Sequence, residues 1–243
     1  MNTEDKINYI INWIEMYRRD NRIQSLIVGV SGGIDSAVVS TMCAMTGAAT
    51  YVVSMPIKQK IDQHTLSVAH SEHLSERFSN VTHITKDLTK IFDAFTDKFD
   101  DMENDLAFAN SRARIRMTAL YQIAQFYNGI VVGTGNKVED FGVGFYTKYG
   151  DGGVDISPIA DCMKTEVWRM GKILGVDQRI IDAAPTDGLW DDGRNDESQI
   201  GMSYIDLEMA MQGMGPIGNI DKFKEIQRKN LHKMNPIPVC KVS

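Results

Sequence analysis

Ser25-Leu26-Ile27-Val28-Gly29-Val30-Ser31-Gly32-Gly33-Ile34-Asp35-Ser36 is the stretch that decides the fold. Leu26, Ile27 and Val28 are consecutive apolar residues without a helical period, which predicts a parallel strand over residues 25–30 covered on both faces. From Ala37 the run Ala-Val-Val-Ser-Thr-Met-Cys-Ala-Met can continue as helix. Between the two, Gly32 and Gly33 allow positive φ and close approach of the backbone. Ser31 and Ser36 add hydroxyls, and the first helical turn offers unpaired N–H groups at its positive end. Gly29, Val30, Ser31, Gly32, Gly33, Ile34, Asp35 and Ser36 therefore read as a phosphate cradle.

Asp35 narrows that reading. A carboxylate inside a phosphate-binding turn repels the ligand unless a divalent cation stands between them, and Mg²⁺ suits hard oxygen donors. The turn lacks the Gly-Lys-Ser/Thr ending of a Walker loop and the Gly-x-Gly-x-x-Gly of a dinucleotide fingerprint. By local sequence alone, an ordinary Gly-rich strand-to-helix turn is the alternative.

Outward from this stretch, strand and helix alternate. Residues 50–55 read as a strand closed by Pro56, 65–78 as helix, 81–84 as strand, 89–99 as helix, 106–127 as a long helix and 129–133 as a buried strand. That order predicts an α/β fold: a doubly wound parallel sheet with helices on both faces. Ligands of such sheets lie beyond the carboxyl ends of the strands. The turns after Val30, Met55, Ile84 and Val132 should thus line one crevice.

Composition bounds the rest. A chain of 243 residues without a Pro/Gly/Ser-rich linker reads as a single domain, residues 1–243. A formal charge of −6 argues against a nucleic-acid surface and favours small-molecule substrates. Cys43, Cys162 and Cys240 are isolated, so neither a disulfide framework nor a zinc ribbon is suggested, and the usage looks cytoplasmic. Residues 1–20 carry Ile7, Ile10, Ile11, Ile14 and Tyr17 at helical spacing behind charged residues, an amphipathic helix rather than a signal peptide. No run of about 18 apolar residues predicts a membrane span.

At about 100° per residue, the long helix carries two stripes: Leu106, Ala113, Met117, Leu120 and Ala124 on one side, Phe108, Ile115, Ala119 and Phe126 on the other. One can cover the sheet and the other can face a second subunit, so a homodimer is expected. After the fourth strand, Gly133-Thr134-Gly135-Asn136-Lys137-Val138-Glu139 repeats the pattern of tight turn, hydroxyl and acid. Glu139 and Asp35, from different strand ends, could hold one Mg²⁺.

The Ser31–Ser36 sextet resembles the pyrophosphate loop of the ATP-pyrophosphatase families. Three further segments occur in the order found in NAD synthetases: Asn110-Ser111-Arg112-Ala113-Arg114-Ile115-Arg116-Met117, the Gly-Thr-Gly-Asn run, and Thr147-Lys148-Tyr149-Gly150-Asp151-Gly152-Gly153-Val154-Asp155. Ser157-Pro158-Ile159, Lys164-Thr165-Glu166, Pro185-Thr186-Asp187-Gly188 and Asp196-Glu197 extend the match over nearly the whole chain. It is similar to the short, ammonia-dependent form. The resemblance implies a Rossmann-like fold of the adenine nucleotide alpha hydrolase type. It also implies a ligase that adenylates the nicotinic acid carboxylate of deamido-NAD with ATP and amidates it with ammonia.

By the same resemblance, Thr134, Lys164 and Thr186 join the cradle around ATP, while Arg114, Lys148, Asp155, His232 and Lys233 contact deamido-NAD. Asp35, Lys164 and Asp151 would be catalytic, Asp151 as a base. Of the three helix arginines, Arg112 and Arg116 share a side and Arg114 lies well round from both, so Arg114 alone is assigned. Residues 142–153, glycines among aromatics, and the acid-rich residues 189–198 would be loops closing over the adenylate.

Two departures stand out. Many family members carry arginine where this chain has Ser54, and Lys58 or Lys60 would have to supply that charge. Arg194 occupies a position that often holds a small polar residue. Competing readings are a GMP-synthetase-like or RNA-thiolating relative, opposed by the Thr-Lys-Tyr-Gly-Asp-Gly-Gly segment and the missing cysteine pair, and a non-catalytic ATP-binding protein, opposed by the acids Asp35 and Glu139.

Overall fold

A computed structural model describes residues 1–58, 61–186, 189 and 195–242. Lys60 and Arg194 lie outside the described residues, as does much of the 189–198 segment. Four strands, β1 (Ser25–Gly29), β2 (Ala49–Ser54), β3 (Val81–Thr85) and β4 (Gly129–Val131), form a sheet of order β3-β2-β1-β4. Every pairing is parallel, with Leu26 opposite Thr50 on one side and Ile130 on the other.

Alternation along β1 assigns the faces. Leu26 and Val28 pack with α1 (Thr3–Asp20), α2 (Ile34–Met45) and α6 (Lys164–Leu174), through partners such as Ile14, Val38 and Met170. Ile27, Val53 and Val131 pack on the opposite side against Phe92 of α4 (Thr89–Thr96) and Met117 and Leu120 of α5 (Asp105–Phe126). Helix α3 (Ile61–Arg77) covers β2 and β3 through Leu74. The doubly wound parallel sheet expected from the sequence is present. A further cluster, built around Tyr204, Leu207 and Phe223, joins α8 (Asp196–Ile200), α9 (Tyr204–Met211) and α10 (Ile217–Met234) to a π-helical turn at Glu139–Val143. Between α6 and α8 lies the short α7 (Gln178–Asp182).

Local differences from the sequence reading have physical causes. Helix α2 starts at Ile34 rather than Ala37, with Gly33 as N-cap in extended conformation, so Asp35 sits in the first turn where the helix dipole favours an anion. Of the paired glycines Gly32 and Gly33, only Gly32 uses left-handed freedom, at φ 92°. Strand β4 ends at Val131, and Val132 continues as an isolated parallel bridge to Ile156, because the chain from the 154–156 segment returns beside it.

Helix α5 is capped by Asn104, whose Oδ1 accepts the Ala107 N–H at 2.9 Å. Ala113, Met117, Leu120 and Ala124 are buried as the first stripe requires, while Leu106, at 59% exposure, is not. The second stripe divides: Phe108, Ile115 and Ala119 pack against the sheet core, and Phe126 remains 72% exposed. Among the described residues no helix is long and apolar enough to cross a membrane.

Candidate active site

Strand order reverses between β1 and β4, and the crevice at their carboxyl ends has a volume of about 270 Å³. The turns after β1, β2 and β4 line it, and the turn after β3 does not, since β3 is the edge strand two places from β1. All of Gly29 to Ser36 border the space. Within the cradle, the Ser36 hydroxyl donates to Gly33 O at 2.9 Å and accepts the Ser31 N–H at 3.2 Å, while Ser31 Oγ accepts the Gly33 N–H at 3.2 Å. The two serines thus hold the loop open against the helix end. The approach is also close at Gly133, where a Cβ would meet Val154 Cγ2 at 2.6 Å and Ile156 O at 3.1 Å.

At the floor of the crevice, Lys164 opens α6 with 1% of its surface exposed. Its Nζ donates to Asp35 Oδ2 at 2.5 Å and to Glu139 Oε1 at 2.8 Å. Asn136, fully buried, joins the two acids from the other side: its Nδ2 donates to Asp35 Oδ1 at 3.1 Å and its Oδ1 accepts the Glu139 N–H at 3.1 Å. Behind them the Tyr204 hydroxyl donates to Glu139 Oε1, and its ring lies 4.9 Å from Lys164 Nζ.

Burial opposes every charge in this group. It raises the pKa of Asp35 despite the neighbouring Lys164 ammonium, with the Glu139 charge adding to the rise. Burial also works against ionised Glu139, but Lys164 and the hydrogen bonds from Lys164, Tyr204 and Asn136 outweigh it and leave that pKa lowered. For Lys164, burial would lower the pKa, and the two carboxylates drive it upward instead. Asp140, also on the crevice wall, is pushed well up by burial and by the charges of Asp151, Glu139 and Asp35.

Asp35 Oδ2 and Glu139 Oε1 converge on a single ammonium, so the geometry already supports a cation between two hard oxygen donors. Among the described residues no group of three or more His, Cys, Asp or Glu could hold a metal ion alone. Mg²⁺ fits that limitation, since it is commonly bound by one or two carboxylates with phosphates and water completing its shell.

Of the residues singled out from sequence, Thr134, Glu139, Asp151, Lys164 and Thr186 join the cradle on the crevice wall. Asp151 Oδ1 accepts the Thr147 N–H at 2.9 Å. Arg114, Lys148, Asp155, His232 and Lys233 do not border this crevice. Arg114 is exposed and donates to Lys148 O at 3.2 Å. Asp155 accepts from the Val131 N–H at 2.7 Å and from Tyr121 at 3.2 Å. His232 is exposed on the last turn of α10, and Lys233 Nζ donates to Tyr146 O at 2.7 Å while the Tyr146 hydroxyl donates to Lys233 O at 2.6 Å. The end of α10 is thereby clamped to the Gly-rich segment.

Ser54 is buried, with its hydroxyl 2.8 Å from Ser67 Oγ and 3.1 Å from His83 Nε2, so it faces inward. Lys58 pairs with Asp93 at 2.5 Å and does not border the crevice. Arg116 does: its Nε donates to Met55 O at 3.1 Å, which brings a guanidinium to the carboxyl end of β2. Sequence reasoning assigned no role to Arg116, Asn136 or Tyr204. The placement of Asn136 three residues before Glu139, as in a side-chain-capped turn, was the one available signal.

A glycine-rich turn opening a helix at the switch point of a parallel sheet, with two acids and a lysine at the floor of the crevice, defines a nucleotide-binding α/β enzyme. The family model for NAD synthase matches residues 6–239. An NH(3)-dependent NAD(+) synthetase from Carboxydothermus hydrogenoformans is 35% identical over 239 residues, 96% of each chain, and one from Mesoplasma florum is 32% identical over 240 residues, 97% of this chain and 96% of that one. Among solved structures, NMN synthetase from Francisella tularensis superposes with a TM-score of 0.92 at 28% identity over 99% of both chains. NH3-dependent NAD synthetase from Campylobacter jejuni superposes with a TM-score of 0.80 at 23% identity, over 99% of this chain and 100% of that one, a likeness of fold. The chain belongs to the NAD synthase family and is a carbon–nitrogen ligase.

Proposed function

We propose that this chain adenylates the nicotinic acid carboxylate of deamido-NAD with ATP, releasing pyrophosphate, and amidates the adenylate with ammonia to give NAD and AMP. The observation that carries this reading is the Asp35–Lys164–Glu139 cluster beneath the cradle, in a chain of this family. Ser31 to Ser36 bind the β and γ phosphates through backbone N–H groups and hydroxyls. Asp35 and Glu139 would hold Mg²⁺, which when bound would supply charge neutralisation for the departing pyrophosphate. Lys164 is a mobile point charge that follows the negative charge as the carboxylate oxygen attacks the α-phosphorus. Arg116 contributes the cation at the end of β2 that Ser54 does not. Thr134 and Thr186 contact ATP from the crevice wall. Asp151 accepts a proton from the attacking nitrogen.

Arg114, Lys148, Asp155, His232 and Lys233 form the deamido-NAD surface outside the ATP crevice, completed by the second subunit of a homodimer. The exposed Phe126, on the stripe of α5 that the sequence assigns to a second subunit, supports such an interface. Residues 1–243 act as one domain, and the enzyme works in the cytoplasm, where ATP and ammonia are at hand. Incubation with ATP, Mg²⁺, ammonium and deamido-NAD should yield NAD, AMP and pyrophosphate in equal amounts. AMP release driven by xanthosine monophosphate instead would refute the reading.

A second substrate is favoured by one observation. The NMN synthetase superposes more closely, with a TM-score of 0.92 against 0.80, and at higher identity, 28% against 23%, than the Campylobacter jejuni enzyme. Nicotinate mononucleotide carries the same carboxylate and would undergo the same two steps. Comparing kcat/KM for the two acids decides between them, because a preference reports differential transition-state binding.

A further inference from the structure

Tyr204 is a tyrosine with 1% of its surface exposed, and it stands behind the acids rather than on the crevice wall. Its hydroxyl donates to Glu139 Oε1, and Asp196 Oδ2 lies 3.3 Å from that hydroxyl as a second acceptor. Two elements lock the ring. Trp168 of α6 meets it edge to face at 5.7 Å, and the Tyr204 N–H, at the start of α9, donates to Glu197 Oε1 at 2.8 Å. The same ring lies 4.9 Å from Lys164 Nζ. One side chain thus touches both the acid and the ammonium, although it comes from a helix that contributes nothing to the sheet.

We propose that Tyr204 is the positioning residue for Glu139: its hydroxyl fixes one carboxylate oxygen so that the acid keeps its aim toward the cation position between itself and Asp35. The need arises from the shared donor. Lys164 also donates to Glu139 Oε1, and an ammonium that also serves phosphates cannot hold that oxygen throughout a cycle. A neutral phenol is not drawn to phosphate, and its ring is fixed by packing, so it retains the carboxylate when Lys164 moves. Partners of metal-ligating groups commonly matter about 10–100-fold in metal affinity or activity.

This assignment rests on the Mg²⁺·ATP reading above, and the test separates the two. Mn²⁺ binding is followed by electron paramagnetic resonance in the presence of a non-hydrolysable ATP analogue, beside calorimetry of metal-free AMP. Tyr204→Phe should weaken Mn²⁺ binding about tenfold or more and leave AMP binding unchanged. In an E139Q background, Tyr204→Phe should add nothing, since its acceptor charge is already gone. Were Tyr204→Phe too unstable to titrate, Tyr204→Met, which keeps apolar bulk without a hydroxyl, carries the same expectation. Unchanged Mn²⁺ affinity, or an equal loss of AMP binding, would overturn the role of Tyr204. A parent protein that takes up no Mn²⁺ with the analogue would instead sink the Mg²⁺·ATP reading itself.

Discussion

Lys164→Met removes the buried ammonium shared by two largely buried acids while nearly conserving volume. In the parent, Nζ lies 2.5 Å from Asp35 and 2.8 Å from Glu139, and the side chains of these acids are 17% and 14% exposed. Breaking a buried ion pair by deleting one partner costs about 3–5 kcal/mol, because the remaining charge is left without compensation. For a chain of this size that is a fall of roughly 6–20 °C in Tm at 2–4 °C per kcal/mol. The double variant Lys164→Met/Glu139→Gln sharpens the test. Neutralising one acid relieves the repulsion that the single variant creates, so the double should be more stable than Lys164→Met alone by about 1 kcal/mol or more. Urea unfolding followed by circular dichroism, without nucleotide or divalent metal, measures the parent, Lys164→Met, Glu139→Gln and the double variant. A Lys164→Met protein within about 1 kcal/mol of the parent, or a double variant that falls by the sum of the singles, would show that the cluster is not one electrostatic unit.

Asp35→Asn should lower kcat by about 10²-fold or more, the scale of single preorganised-electrostatics deletions, in a steady-state assay of pyrophosphate release. Arg116→Gln should raise KM for ATP about tenfold or more, as loss of a charged hydrogen bond does, whereas Arg114→Gln should leave it unchanged. His70 sits against Ser40 with its pKa lowered to about 4 by burial, chiefly, and by His73. Its neutral form is the one the fold accommodates, so stability is complete above the unfolded pKa near 6.5 and declines as pH falls from there toward about 4, by about 3 kcal/mol in all. Urea midpoints of His70→Gln across that interval should depend on pH less steeply than those of the parent.

How much of this was legible beforehand differs by element. The run Leu26-Ile27-Val28 and the Gly-Gly turn with Asp35 are local signals: apolar continuity and backbone freedom are written in neighbouring residues. They located β1, the glycine turn at its end and the alternation that yields a parallel sheet, and the motif order pointed to the family that the comparisons bear out. The start of α2 was misplaced because Ile34, Asp35 and Ser36 are as compatible with a turn as with a first helical turn, and only the packing of Ile34 against Gly171 of α6 shows which applies.

The long helix shows the same limit. Periodicity found its two apolar stripes, yet could not say that Phe108 and Ile115 pack half-buried against the sheet core while Leu106 and Phe126 stay exposed. Nor could helical angles choose among its arginines: Arg116 reaches the crevice because Met55 O, 61 positions away in sequence, accepts its Nε hydrogen.

Sequence alone thus determined the chemistry available: glycine freedom, helix-end donors, two acids and a lysine, each readable from a few adjacent residues. Tertiary structure decided how those groups meet. The Lys164 ammonium lies between Asp35 and Glu139, residues 129 and 25 positions away, and Tyr204 stands behind them from a separate helix. The reason is physical: a charge or hydroxyl gains its meaning from what surrounds it at a few ångströms, and burial makes that neighbourhood decisive.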